Sequence, residues 1–314
     1  MYRLILRKAQ TFCRLWKEEG AFETLNILKS QILYFYLKTT QQEGLVRRFI
    51  PAISQSMWLS LEDSGLSKIL FYRGVHEPLS TLWMKEELLE GTTVLDIGAN
   101  LGYYVLLESA RTGPKGRVFA IEPNPVAFEI LKRNVEENKL LNVVTQPLAI
   151  SAESGTVQMH LTQQFNWSHI PHEQLDSHRA IDMQRWVRKT IVVETRSLDD
   201  FVQQQNIPNL NFLRMDIEEL EFEVVRGGRH TLTSHRPMKM LVEVHPFLAT
   251  DLTPFVVMLN QLFDLGLTVK YIGHQNKTVF RWPTPEQAIN YLHDQSFGQA
   301  PHFLFSSELP PERP

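Results

Sequence analysis

The chain has 314 residues, of which 43% are hydrophobic, and a formal net charge of -3 at pH 7. This length allows one large domain or two modest ones, and the composition excludes a mainly disordered chain. We also exclude a dedicated nucleic-acid binder, because such proteins carry strongly basic surfaces. Cys13 is the only cysteine, which excludes an internal disulfide framework and a cysteine-rich zinc site. Without a membrane-spanning run or a recognisable secretory signal, we expect a cytoplasmic protein.

Residues 1–57 predict a helical extension that precedes the main domain. Within residues 1–17, apolar side chains share one face of a helical wheel and basic side chains lie on another. One interpretation is peripheral contact with an anionic membrane surface. We favour the other, a helix that packs on its own domain or on a homodimer partner, because such helices are common in ordinary proteins.

From about residue 92 onward, short apolar runs alternate with helical stretches. The predicted strands lie in TTVLDIGAN (92–100), GRVFAIEP (116–123), NVVTQPLAIS (142–151, interrupted by Pro147), NFLRMDI (211–217) and MKMLVEVHP (238–246). The predicted helices between them span residues 103–112, 125–139 and 220–234. This alternation predicts a doubly wound, mostly parallel α/β sheet over residues 58–314. The last run, HFLFSS (302–307), predicts an antiparallel edge strand.

Residues 162–190 break this alternation. The segment is polar and contains three histidines and several aromatic residues, and we predict a lid or insertion above the sheet. A metal site on the three histidines is one alternative. Acids and cysteines at ligand spacing are missing from the segment, so a solvated loop is the favoured interpretation.

The loop after the first predicted strand carries an acid and two glycines, in the order Asp96, Gly98, Asn100, Gly102. In doubly wound sheets, ligands bind at the carboxyl ends of the strands. Glycine at position 98 permits a tight turn and the close approach of a ligand. Glu122 ends the next strand, where a carboxylate can accept both hydroxyls of a ribose. Turn capping and solvation would explain each acid alone, but the pair favours a ribose-containing ligand.

The same loop distinguishes between ribose ligands. A nicotinamide dinucleotide needs G-x-G-x-x-G to bind its pyrophosphate, whereas this chain reads D-I-G-A-N-L-G. A carboxylate repels a pyrophosphate and suits an ammonium group. S-adenosylmethionine carries an ammonium, a sulfonium and a ribose, and no phosphate. We therefore predict S-adenosylmethionine as the cofactor and S-adenosylhomocysteine as its product.

With other segments in order, this loop resembles the FkbM-type branch of the class I S-adenosylmethionine-dependent methyltransferases. The resemblance covers about residues 57–247 and rests on GVHEP (74–78), VLDIGANLGYY (94–104), EPNPVAFEILKRNVEEN (122–138), PLAIS (147–151), RSLDDF (196–201), LRMDIEELEFEVVRGG (213–228) and LVEVHP (241–246). It implies a seven-stranded Rossmann-like sheet with the methyl donor between the ends of the first and second strands.

The candidate donor-binding residues are Glu77, Asp96, Gly98, Asn100, Gly102, Tyr103, Glu122 and Asn124. The resemblance makes Glu77 a lid over the methionine end of the donor, although it could simply cap the following helix. Tyr103 is equally compatible with packing in the core. The family pattern is Asp-x-Glu-Gly after the fourth strand, and Glu219 replaces that glycine here. A charged side chain at this position indicates restricted access or a different acceptor.

The candidate catalytic residues are Asp216 and Glu218 at the end of the fourth strand and Glu243 and His245 at the end of the fifth. Methyl transfer needs positioning of the reactants and a base for the acceptor proton. His245 is the predicted base, because an unperturbed imidazole titrates near the working pH, and Asp216 would orient the acceptor or the donor ammonium. The same acids could hold a divalent cation, but we favour a metal-free site. Glu221 and Glu223 are expected on a solvated helix face.

These observations predict an O-methyltransferase that acts on a hydroxyl of a small molecule, a sugar or a natural product, without a nucleic-acid partner. Two other classes fit the same pattern. One is a binding or scaffold protein that has lost catalysis, which Glu219 and the long amino-terminal extension suggest. The other is a nicotinamide-dependent oxidoreductase, which the missing glycine fingerprint disfavours.

Overall fold

The structure is a computed structural model that describes residues 20–21, 24–40, 44–171, 186–217, 220–245, 251–274, 277–293 and 300–308. Within these residues the helices are α1 (24–40), α2 (Leu66–Arg73), α3 (Pro78–Glu87), α4 (Tyr103–Thr112), α5 (Pro125–Glu137), α6 (Leu198–Gln204), α7 (Glu221–Arg226), α8 (Arg229–Ser234), α9 (Thr253–Asp264) and α10 (Pro285–His293). The strands are β1 (Leu45–Ile50), β2 (Gln55–Ser60), β3 (Thr93–Ile97), β4 (Arg117–Ile121), β5 (Val143–Gln146), β6 (Ala149–Ser151), β7 (Gly155–Thr162), β8 (Val187–Ser197), β9 (Phe212–Met215), β10 (Lys239–Glu243), β11 (Thr268–His274), β12 (Lys277–Arg281) and β13 (His302–Ser306).

The main sheet has eight strands in the order β12-β11-β13-β10-β9-β3-β4-β5. The five strands from β10 to β5 run parallel to one another, because helical crossovers connect them. The chain enters the sheet at β3, moves outward to β5, and returns to β9 on the other side of β3. This reversal opens a crevice at the carboxyl ends of β3 and its neighbours. The predicted doubly wound, mostly parallel fold is confirmed.

One edge of the sheet differs from the prediction. β11 and β12 form an antiparallel pair, and β12 adds an eighth strand to the predicted seven. β13 is antiparallel, as predicted, but it lies between β10 and β11 rather than at the edge. All five of its residues are buried, which agrees with an interior strand paired on both sides. The predicted edge position is therefore wrong.

Apolar layers cover both faces of the sheet. Successive side chains of a strand point to opposite faces, so Leu95 and Phe119 pack in one layer while Val94 and Val118 pack in the other. Packing in these layers holds the strands in position, and it therefore also sets the positions of the polar residues that follow each strand.

A second, three-stranded sheet has the order β6-β8-β7. The predicted interruption at Pro147 is confirmed, because β5 ends before it and β6 belongs to the second sheet. β7 and β8 are antiparallel, and Thr162 pairs with Val187 at their far end. The predicted lid over residues 162–190 therefore begins where these two strands end. Residues 172–185 of this segment, which include His172 and His178, lie outside the described residues.

The amino-terminal segment departs from the helices predicted over residues 1–57. Residues 24–40 are helical, but β1 and β2 form an antiparallel hairpin. Tyr34 and Met57 are buried in the same apolar layer as α4 and α5. The predicted division near residue 57 stays a prediction, and that position falls inside β2. Residues 1–17 lie outside the described residues.

The helix predicted over residues 220–234 is two short helices, α7 and α8. The chain passes close to its neighbours between them: a Cβ at Gly227 would lie 2.5 Å from the Ser151 carbonyl oxygen, and one at Gly228 2.4 Å from Leu198 Cδ2. Glycines allow this close approach. None of the described helices is both long and apolar enough to cross a membrane.

Candidate functional site

A cleft with about 670 Å³ of empty space opens at the carboxyl ends of β3 and β4. Gly98, Asn100 and Glu122 line it on the side of the sheet, and Phe165 and His169 line it on the side of the β7–β8 hairpin. Apolar walls with a few polar groups are typical of small-molecule sites. The cleft lies where the sequence predicts the methyl donor.

The loop after β3 lines the cleft with backbone and one amide side chain. Gly98 has a φ of 85° and Asn100 a φ of 49°, a left-handed conformation that asparagine tolerates better than most residues. A Cβ at Gly98 would lie 2.1 Å from the carbonyl oxygen of Asp216, so the neighbouring strand end also requires glycine here. Asn100 Oδ1 is buried and lacks a hydrogen-bond partner among the described residues. It can accept a hydrogen bond from a ligand.

Glu122 holds the two loops that border the cleft. Its Oε2 accepts the backbone N–H of Asn100 and its Oε1 that of Asn124, each at 2.7 Å. Each carboxylate oxygen has a second lone pair, so both can still accept a hydroxyl. Burial raises the pKa of Glu122 to about 7, although the two N–H groups oppose this rise. The protonation state of this carboxylate therefore changes near neutral pH.

Asp96 is paired with Arg214, a residue that the sequence analysis did not identify. Arg214 Nη1 donates to Asp96 Oδ1 at 2.8 Å, and both side chains are almost fully buried. The parallel register of β3 and β9 places the two residues side by side. Asp96 is not among the described residues that line the cleft. Contact between Asp96 and the donor stays a prediction, and it would use Oδ2, which is buried without a partner among the described residues.

Asp216 connects the cleft to a second polar region. It lines the cleft, and its Oδ2 accepts a hydrogen bond from Arg214 Nη2 at 2.7 Å. Arg214 thus bridges Asp96 and Asp216. Burial lowers the pKa of this guanidinium, but the two carboxylates outweigh burial and raise it well above its usual value.

The second polar region, called the acid–histidine cluster below, lies at the ends of β9 and β10 and the start of β13. It contains Asp216, Glu243, His245 and His302, together with His76 and Glu77 from the loop before α3. The predicted catalytic residues Asp216, Glu243 and His245 are therefore close together. Glu218 and Glu219 lie outside the described residues, and their roles stay predictions.

His245 is held by Glu221, which corrects the expectation that Glu221 lies on a solvated helix face. Glu221 is fully buried, and its Oε1 lies 2.7 Å from His245 Nδ1. Burial raises the pKa of Glu221, and the hydrogen bond with His245 opposes this rise. His245 Nε2 lies 3.8 Å from Glu243 Oε1, inside the acid–histidine cluster. This arrangement of a carboxylate and an oriented imidazole is suited to proton transfer.

Glu243 and Glu77 lie in different electrostatic environments. Burial raises the pKa of Glu243 well above its usual value, and the charges of Glu77 and Asp216 add to the rise. Burial also acts on Glu77, but His76, whose Nε2 lies 3.0 Å from Glu77 Oε1, outweighs it and holds the pKa of Glu77 well below its usual value. The pKa of Glu77 is therefore well below that of Glu243.

Three predicted donor-binding residues have structural roles in the described chain. Gly102 precedes α4 with a φ of 89°, Tyr103 is buried with its hydroxyl 3.0 Å from Thr81 Oγ1, and Asn124 Oδ1 caps α5 by accepting two backbone N–H groups. None of the three is among the described residues lining the cleft. Glu77 precedes α3 but makes no side-chain cap; it accepts the Tyr104 hydroxyl at 2.9 Å instead.

The chain is similar to several known methyltransferases. The model of the family described as the methyltransferase FkbM domain matches residues 96–294. The chain is 27% identical to the 2-O-methyltransferase NoeI of Sinorhizobium fredii over 53% of its own length and 71% of that protein. It is 26% identical to the hexuronic acid methyltransferase AglP of Haloferax volcanii over 51% of its own length and 59% of that protein. A crystal structure of the methyltransferase FkbM from Methylobacillus flagellatus has 18% identity and a TM-score of 0.43, covering 93% of this chain and 60% of that one.

The strand order and the cleft define a Rossmann-like protein of the class I methyltransferase type. The family match covers more than half of the chain, and the chain belongs to the FkbM methyltransferase family. It is an S-adenosylmethionine-dependent methyltransferase, as predicted. The oxidoreductase and scaffold alternatives find no support in these matches.

Proposed function

We propose that this methyltransferase transfers the methyl group of S-adenosylmethionine to a hydroxyl oxygen of a carbohydrate-like acceptor. The observation that carries the proposal is the position of Asp216, which lines the cleft and also belongs to the acid–histidine cluster. A donor in the cleft and an acceptor at the cluster would meet at this residue. The name of one relative, a 2-O-methyltransferase, supports transfer to oxygen, and that of another, a hexuronic acid methyltransferase, supports a sugar acid or a related sugar.

In the proposed reaction the acceptor oxygen attacks the methyl carbon in line with the carbon–sulfur bond. That bond breaks, its electron pair goes to sulfur, and the sulfonium becomes the neutral thioether of S-adenosylhomocysteine. The acceptor proton goes to His245 Nε2, whose ring is oriented by Glu221 at Nδ1. Asp216 orients the acceptor hydroxyl from the donor side. Bringing the two reactants together supplies much of the rate enhancement.

A panel of acceptors tests the proposed function. The purified chain is incubated with methyl-labelled S-adenosylmethionine and with uronic acids, neutral sugars or aliphatic alcohols as acceptors. We expect label in a sugar or uronic acid, at an oxygen that mass spectrometry can locate. Label that appears only in non-carbohydrate acceptors would contradict the carbohydrate part of the proposal, and label on nitrogen or carbon would contradict O-transfer.

The pH dependence of donor binding tests the role of Glu122. Ribose hydroxyls donate to an ionised carboxylate, so bound S-adenosylhomocysteine should lower the pKa of Glu122 from about 7 and release a proton. The affinity for S-adenosylhomocysteine should therefore be highest at and above neutral pH. Below neutral pH it should decrease as the pH is lowered, by at most about tenfold per pH unit. Calorimetry at several pH values, in buffers of different ionisation heat, measures both the affinity and the proton release.

Two substitutions accompany that measurement. Glu122→Ala should weaken S-adenosylhomocysteine binding by about 1.5–3 kcal/mol for each hydroxyl bond lost, and the pH dependence should disappear. The matched control is Glu129→Ala on the exposed face of α5, where the carboxylate pairs only with Lys132 in the described residues, and it should bind like the parent chain. Parent-like affinity in Glu122→Ala would contradict the ribose assignment.

We propose a cytoplasmic location, with residues 1–17 as the segment that would contact an anionic membrane surface. A chain that lacks residues 1–19 should keep donor binding, because the described core begins after them. If the segment binds membranes, the full chain should sediment with anionic liposomes at low salt and the shortened chain should not, because screening weakens such contacts. Equal sedimentation of both chains would contradict the membrane contact.

A further inference from the structure

Glu243 and His302 belong to the acid–histidine cluster but are not among the described residues that line the donor cleft. They are partners in the antiparallel register of β10 and β13, so their side chains lie on the same face of the sheet. His302 Nε2 lies 4.0 Å from Glu243 Oε1, which is too long for a hydrogen bond. Glu77 joins them, and one ligand atom from each of the three residues lies within 4.8 Å of the others.

The ring of His302 has a fixed orientation. Its Nδ1 lies 3.1 Å from the hydroxyl oxygen of Ser80, and both residues are buried. This contact directs Nε2 toward Glu243. Metal-binding histidines are held in the same way, by a hydrogen bond at the nitrogen that does not bind the metal.

Glu77 is also fixed in position. Tyr104 donates to its Oε2 at 2.9 Å, and His76 Nε2 lies 3.0 Å from its Oε1. Its backbone has a φ of 40°, in the left-handed region that costs energy for a residue other than glycine. Such strained residues are concentrated at functional sites. The strain and the two contacts hold an ionised carboxylate against Glu243 and His302.

The charges of the cluster call for a cation. Arg214 compensates Asp216 at 2.7 Å and His76 compensates Glu77 at 3.0 Å. Glu243 shares a side-chain hydrogen bond with Asp216, and the cationic partners nearest to it within the described residues are His245 and His302, at 3.8 and 4.0 Å. Ligand bonds of about 2.0–2.2 Å place three ligand atoms of one ion at most about 3.8 Å from one another. The ligand atoms of Glu77, Glu243 and His302 lie within 4.8 Å of one another, so the side chains would close by up to about 1 Å around an ion.

We propose that Glu77, Glu243 and His302 form a binding site for one divalent transition-metal ion, and that this ion holds an oxygen of the acceptor next to Asp216 and His245. This proposal rests on the proposed function, because it places the acceptor at the cluster. Two carboxylates with an imidazole suit Mn²⁺ better than Mg²⁺, which prefers oxygen ligands throughout. The sequence favoured a metal-free site, and this proposal takes the metal alternative instead.

Mn²⁺ titration of the full chain tests the site without an acceptor. The chain is freed of metal with a chelator, and the electron paramagnetic resonance signal of free Mn²⁺ is followed as the chain is added. We expect one Mn²⁺ bound per chain, tighter than Mg²⁺ in competition. Glu243→Gln and His302→Gln should each weaken Mn²⁺ binding by at least about tenfold. The matched controls, Glu223→Gln and His230→Gln on α7 and α8, should bind Mn²⁺ like the parent chain.

S-adenosylhomocysteine calorimetry on the same preparations separates this proposal from the proposed function. Donor binding that persists in Glu243→Gln and His302→Gln shows that both variants are folded, so their loss of Mn²⁺ supports the site. Parent-like Mn²⁺ binding in both variants, equal affinity for Mg²⁺ and Mn²⁺, or no Mn²⁺ binding in a parent chain that binds S-adenosylhomocysteine would each overturn it. If the parent chain binds Mn²⁺ but no S-adenosylhomocysteine, the proposed function fails and the ion has another role.

Discussion

His245→Ala should lower the kcat of methyl transfer by about a hundredfold or more, because a positioned general base typically contributes 10²–10⁴. The imidazole is held at Nδ1 by buried Glu221 at 2.7 Å, so Nε2 lies within the acid–histidine cluster. S-adenosylhomocysteine affinity should change little, because His245 is not among the described residues that line the cleft. Turnover of the acceptor found in the panel, with calorimetry of donor binding, measures both effects.

Asp216→Ala should affect both measurements, because Asp216 lines the cleft and also faces the acceptor side. We expect lower turnover together with weaker S-adenosylhomocysteine binding. The control is His230→Ala, which removes an exposed histidine from α8 and should leave kcat and donor binding unchanged. Parent-like turnover in both the His245 and Asp216 variants would show that the catalytic assignment is wrong, even with the fold and the donor correct.

The sequence predicted the parallel part of the sheet well, because buried parallel strands are continuous apolar runs and their helices separate them clearly. The position of β13 could not be predicted in this way. Whether HFLFSS lies at an edge depends on where β11 joins the sheet, and local patterning does not report strand order. β1 was missed because LVRRFI contains two arginines that obscure the alternation of a strand.

Part of the candidate site could also be predicted from the positions of residues along the parallel strands. Gly98, Asn100 and Glu122 follow strand ends, and position along a strand is enough to bring them to one cleft. Glu221 could not be predicted, because its burial depends on His245, which is distant in sequence. Arg214 could have been predicted to have a buried partner, because a charged residue inside an apolar run is buried only when it is paired. In the parallel register of β3 and β9, that partner is Asp96.

Arg214 is also the residue whose loss should cost the most stability. Its guanidinium lies between Asp96 and Asp216 and 4.0 Å from the centre of the Tyr104 ring. Removing one partner of a buried ion pair leaves the other charge uncompensated, which costs about 3–5 kcal/mol. Asp96 would then be buried near Glu108, whose pKa is already raised well above its usual value by burial and by the charge of Asp96.

Arg214→Met should therefore lower the free energy of unfolding by about 3–5 kcal/mol, measured by urea denaturation with circular dichroism. Arg226→Met provides the matched control, because the side chain of that arginine is 61% exposed although it pairs with Glu223, and its loss should cost less than about 1 kcal/mol. Adding Asp96→Asn to Arg214→Met should recover part of the loss, because it removes the uncompensated carboxylate. Two results would show that this ion pair does not hold the network at the ends of β3 and β9. In one, the double variant loses more free energy of unfolding than the two single variants lose together. In the other, Arg214→Met is as stable as Arg226→Met.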